Sequence, residues 1–124
     1  MSRPLSAADL DAILPGAPDL RAQAIAWLEA MAKERRLSPK TVEAYGRDLR
    51  QFLAFLGMHL GEPASIAAVI ALKPRDVRTF LAARRAAGVE SRSLMRQLAG
   101  LRSFARHLER EGHGTASAFS AISS

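Results

Sequence analysis

Arg92, Ser93, Arg96, Gln97 and Ser103 recur at helical spacing around two small residues, Ala99 and Gly100. A second set, Lys40, Thr41, Arg47 and Arg50, recurs in the same way around Ala44. Long cations beside small residues let a helix backbone come close to a phosphate or enter a major groove. Arginine adds a planar fork that matches phosphate oxygens or a guanine edge with two parallel hydrogen bonds. Arg92, Arg96 and Lys40 are the candidates for groove contacts. Thr41, Ser93, Arg47 and Ser103 are the candidates for phosphate contacts. A glycine inside a helix costs about 1 kcal/mol relative to alanine. Close approach by DNA would account for Gly100, and so would packing against another helix.

Charge favours the same chemistry. The formal net charge is +6 and the isoelectric point about 11.0. Residues 1–32 carry two basic and four acidic side chains, so the excess of cations lies in 33–124. All but Lys33, Lys40 and Lys73 of the 18 basic residues are arginine. An Arg-rich basic domain points first to nucleic acid, with an acidic protein surface as the alternative.

Catalytic chemistry is hard to assemble from the remaining residues. His59, His107 and His113 have no partners at metal-ligand spacing, and surface or helix-end positions are expected for all three. There is no Gly-rich phosphate loop and no GxSxG elbow. Cysteine is absent, which excludes disulfides and thiolate metal ligation. No metal, cofactor or small-molecule substrate is expected. The apolar runs are too short for a membrane span, and the N-terminus lacks a signal-peptide core, so a cytoplasmic location is expected.

The elements that must position these residues are helices. Alternating β-branched runs are missing, and Ala, Leu and Arg dominate. A short first helix is expected from Ser6 to Leu14, stopped by Pro15–Gly16. A second runs from Pro18 to Arg36 with Leu20, Ala24, Trp27, Leu28 and Met31 as its apolar stripe. Ser38–Pro39 is a helix start, a capping hydroxyl followed by Pro at the first turn. The helix it opens is expected to end at Leu56–Gly57, burying Val42, Tyr45, Leu49, Phe52, Leu53 and Leu56. Ile66–Leu72 reads as a helical turn. Lys73–Pro74 opens a helix to about Ala87 with Gly88 behind it. The last helix spans 91–111, with Leu94, Leu98, Leu101, Phe104 and Leu108 inward and Arg92, Arg96, Gly100, Ser103, Arg106 and Arg110 outward. The tail from Thr115 reads as a weak turn passing into a linker.

Three segments within this helical frame resemble the N-terminal, core-binding domain of tyrosine recombinases, of the phage integrase family. Leu37-Ser-Pro-Lys-Thr-Val-Glu-Ala-Tyr-Gly-Arg-Asp-Leu49 is similar to the family's LSxxTxxxYxxDL signature. Asp76-Val-Arg-Thr-Phe-Leu81 resembles DVxxFL, and Ser91–Phe104 resembles SxxRxLSALRxF. Order and spacing agree from about Ala24 to His113, and the Xer-type subgroup is the most similar. The resemblance implies an all-α fold, a four-helix SAM-like orthogonal bundle, here with a short extra N-terminal helix. It divides the chain into an extension (1–17), a DNA-binding domain (18–114) and the start of a linker (115–124) to a separate catalytic domain.

The same resemblance implies sequence-specific binding of duplex DNA as the N-terminal arm of a site-specific recombinase, of the type that resolves chromosome dimers. The partners implied are a recombination half-site and a second recombinase subunit. Helices 38–56 and 91–111 are the two it lays on the major groove, carrying Lys40, Thr41, Ala44, Arg47, Arg50, Arg92, Ser93, Arg96, Gln97, Gly100 and Ser103. Gly46 stands where relatives usually carry Arg or another long residue, which implies one phosphate contact fewer. Gly100 replaces the usual Ala or Ser. The family's catalytic residues belong to the other domain, so this chain is expected to be non-catalytic. Tyr45, the single tyrosine, does not match the family's nucleophile. The alternative is a helical protein-interaction module with a basic surface.

Overall fold

A computed structural model of the chain describes residues 14–122. Among them no strand occurs, and five helices follow one another: α1 (Pro18–Lys33), α2 (Pro39–Leu60), α3 (Ile66–Ile70), α4 (Pro74–Ala86) and α5 (Ser91–Arg110). The expected helix over 6–14 lies outside the described residues, apart from Leu14. The chain forms two compact units that divide between Ser65 and Ile66.

The first unit is built on α1 and α2. Pro18 at the first turn of α1 has no amide hydrogen to leave unsatisfied. Leu20, Ala24, Trp27, Leu28 and Met31 form its buried stripe, as their spacing requires. α1 stops at Lys33, three residues short of the expected end. Arg36 adopts a left-handed φ of 53°, and the Leu37 amide donates back to the Met31 carbonyl at 3.1 Å. A glycine usually takes the left-handed position behind a helix, and the sequence offers none here to mark it.

α2 starts where Ser38–Pro39 places it. The Ser38 hydroxyl accepts from the Thr41 amide at 3.2 Å. Leu49, Phe52, Leu53 and Leu56 are buried, and the Tyr45 ring packs edge-on against Trp27 with centroids 6.0 Å apart. The helix does not end at Gly57. It runs one turn further and closes on Gly61, which takes a φ of 80° and donates its amide to the Gly57 carbonyl at 3.1 Å. The unit is tied shut near Gly16, where the Ala17 amide donates to the Ala64 carbonyl at 2.8 Å and Arg21 donates to the Gly16 carbonyl at 2.7 Å.

The second unit contains α3, α4 and α5. The Asp76 carboxylate accepts from the Lys73 amide at 2.8 Å, closing the first turn of α4. Val77, Phe80 and Leu81 are its buried side, and Gly88 with a φ of 91° follows its end. α5 buries Leu94, Leu98, Leu101, Phe104, Ala105 and Leu108. Arg84 of α4 donates to the Gln97 side-chain oxygen of α5 at 3.4 Å. The segment after α5 makes the expected turn, at 117–121, and it is packed: Ala116, Ala118, Phe119 and Ile122 are all buried. Its carbonyls at Phe119 and Ile122 accept from the Arg102 guanidinium. Apolar residues at three-residue spacing and a donor for the freed carbonyls hold it in place.

Candidate nucleic-acid interface

The candidate residues lie on two cationic helix faces, one on α2 in the first unit and one on α5 in the second. On α2 the buried row centres on Tyr45, Leu49, Phe52 and Leu56, so helical periodicity turns Lys40, Ala44, Arg47 and Gln51 the other way. Lys40, Thr41, Arg47 and Arg50 are exposed and Ala44 is half-buried. Glu43 is the one exposed acid among them. Thr41 sits in the first turn, with its hydroxyl 2.9 Å from that of Ser38. Its amide is already committed to the cap, so its hydroxyl edge is what it can offer an anion.

α5 is organised more sharply. Arg92, Arg96, Ala99, Arg106 and Arg110 are exposed and Ser103 is half-buried; no acid lies in this row, and exposed Glu109 flanks it beside Arg106. Ser93 is half-buried at its margin. Arg106 and Arg110 extend the same row beyond the candidate residues, and the signal for them was spacing, Arg106 three residues after Ser103 and Arg110 four after Arg106. Arg36, exposed two residues before the Ser38 cap, had no such signal, because it lies in a turn.

Two candidates on α5 are not on this face. Gln97 is 1% exposed, and its side-chain oxygen is taken by Arg84. It lies three residues from Leu94 and four from Leu101, inside the apolar row, where a base or phosphate cannot reach it. Gly100 is also buried, so the packing explanation for this glycine applies and close approach by DNA at its Cα does not. His107 departs from its expected surface position in the same way: it is 4% exposed and its ring lies parallel to Phe104. His59 and His113 are exposed.

Gly46 is half-buried on the side of α2 next to α1. A Cβ there would meet the Leu28 side chain of α1 at 3.5 Å. That is an ordinary van der Waals contact, so the first carbon of a longer residue would pack on α1. Among the described residues there is no group of His, Asp or Glu that could hold a metal ion, and no helix is long and apolar enough to cross a membrane.

The class these features define is an all-helical domain of two compact units, each with clustered cations exposed on its helices. More narrowly, the chain belongs to the family described as the phage integrase, N-terminal SAM-like domain, whose pattern matches residues 24–112. It is 66% identical over 112 residues to a tyrosine recombinase XerC from Methylobacterium nodulans, covering 90% of this chain and 34% of that protein. It is 62% identical over 112 residues to the tyrosine recombinase XerC of another Methylobacterium, covering 90% of the chain and 35% of the relative. Against the tyrosine recombinase XerC of Nitrobacter winogradskyi it is 57% identical over 106 residues, 86% of the chain and 33% of the relative. The chain thus spans about one third of the length of the curated relatives it matches. No solved structure matches it.

Proposed function

We propose that this chain binds duplex DNA in a sequence-dependent way, as the N-terminal arm of a site-specific tyrosine recombinase of the XerC type. The observation that carries the reading is the acid-free row of arginines on α5. A solvated helix normally mixes charges of both signs, whereas Arg92, Arg96, Arg106 and Arg110 present only donors. Membership of the integrase N-terminal family supports it. In this reading Arg92, Arg96 and Lys40 face base edges, while Thr41, Arg47, Ser93 and Ser103 hold phosphates. Arg50 adds a phosphate contact on α2, and Ala44 leaves room for the backbone.

Strand cleavage and joining would then belong to the remainder of a longer protein, and a second recombinase subunit would be the protein partner. Titration against a half-site duplex and a scrambled duplex of equal length tests the proposal. Tighter binding to the half-site, with steep loss of affinity as salt rises, is the expected result. Binding that ignores both salt and sequence would remove it.

A further inference from the structure

Arg102 sits within the arginine-rich helix and in the stretch that resembles the integrase motif, yet it does not serve the cationic face. Its Nε donates to the Phe119 carbonyl at 3.0 Å, and its Nη2 donates to the Ile122 carbonyl. Both acceptors belong to the segment after α5, which leaves the helix through Gly112 and Gly114, both at positive φ. Ala116, Ala118, Phe119 and Ile122 bury their side chains. Their carbonyls have no helix or strand to satisfy them, and a buried carbonyl without a donor is costly. One guanidinium, a fork of fixed geometry, satisfies two of them at once.

We propose that Arg102 is a positioning residue, a latch that fixes residues 116–122 to α5, and not a phosphate contact. The docked segment and the helix that carries Arg92 and Arg96 then move as one piece. A lysine cannot replace it, since one ammonium on a flexible stem lacks the two-pronged geometry. Half of the proposal rests on the DNA-binding reading above, namely that Arg102 makes no phosphate contact. The latch itself does not.

The test uses the wild-type chain, R102K and R102A, with hydrogen exchange followed by mass spectrometry and DNA titrations over a range of salt. In R102K the amides of 116–122 should exchange about tenfold faster or more, while those of 98–105 stay protected. R102A should behave alike if it folds; if it does not, R102K still decides the latch, and R102Q, which also lacks the charge, takes its place in the salt titrations. The slope of log affinity against log salt should be the same for R102A as for the wild type. A slope shallower by about 0.9 would make Arg102 a phosphate contact and overturn the assignment. Unchanged protection of 116–122 in R102K would overturn the latch. If the wild type shows no salt-dependent DNA binding, the functional reading fails while the exchange data still decide the latch.

Discussion

Arg36 is the only described residue other than glycine with a positive φ, at 53°. A side chain in the left-handed region costs about 1 kcal/mol relative to glycine, so Arg36→Gly should stabilise the fold by up to that amount. Urea midpoints would show the gain. Because Arg36 is exposed just before the start of α2, the same change should weaken DNA binding several-fold. A stabilised variant with unchanged affinity would mean that Arg36 merely closes α1. Roles can also be separated by comparing one arginine from each helix. Arg96→Ala should cost about 1–3 kcal/mol on the half-site and relax the preference at one base position. Arg47→Ala should weaken half-site and scrambled duplexes alike. Equal losses on both duplexes for both variants would remove this division. Gln97→Ala belongs to a third class. Its loss leaves the partly buried Arg84 guanidinium short of an acceptor, so it should lower stability by about 1–2 kcal/mol, with little change in the salt slope.

Among the elements, helix starts were legible and so were the ends of α4 and α5, but the ends of α1 and α2 were not. Ser38–Pro39 and Lys73–Pro74 mark their starts by chemistry that acts within three residues, a side-chain acceptor and a ring that needs no amide partner. Stops depend on which glycine the packing selects. Gly57 and Gly61 lie one turn apart, and only Gly61 turns left-handed. The core rows were legible from spacing, including the Leu49, Phe52, Leu53, Leu56 series. Gln97 and Gly100 were misplaced because residue type was weighed above position, although Gln97 lies in the Leu94–Leu101 row. The docking of 116–122 was not legible, because it depends on a guanidinium fourteen or more residues away in sequence. The two glycines give a direct check on the stop. A Cβ at Gly57 meets nothing within 4 Å, so Gly57→Ala should stabilise the domain by about 0.5–1 kcal/mol through helix propensity alone. Gly61→Ala also meets nothing, but it forces a side chain onto a φ of 80° and should destabilise by about 1 kcal/mol. Thermal or urea unfolding of the pair would read opposite signs. The same sign for both would place the end of α2 elsewhere.

For the molecule as a whole, the question is how much of the charge meets DNA and whether the chain can act on it. Lys40, Arg47, Arg50, Arg92 and Arg96 are exposed candidates on the two cationic faces. If all five neutralise phosphates or displace counterions, log affinity should fall against log salt with a slope of about −4.5. A slope of about −1.8 would mean that α5 alone engages the duplex, and one of about −2.7 that α2 alone does. Cleavage is a separate matter. Recombination by a tyrosine hydroxyl forms a covalent phosphotyrosyl bond and expels a deoxyribose hydroxyl. Its transition state needs several cations and donors focused on one phosphate. Tyr45 is half-buried on the inward row of α2, its ring set edge-on to Trp27. The cations of its own helix, Lys40, Arg47 and Arg50, are exposed and turned away from the buried row. Incubation with a nicked duplex should therefore give no Tyr45–DNA adduct by mass spectrometry. Tyr45→Phe keeps the ring and its contact with Trp27, so DNA affinity should hold within about twofold. Tyr45→Ala removes that contact and should destabilise the first unit by a few kcal/mol, about 3 by analogy with other aromatic truncations, less for partial exposure. An adduct on Tyr45, or loss of DNA binding in the phenylalanine variant at full stability, would show that the hydroxyl reaches a phosphate and that α2 turns its other face to the duplex.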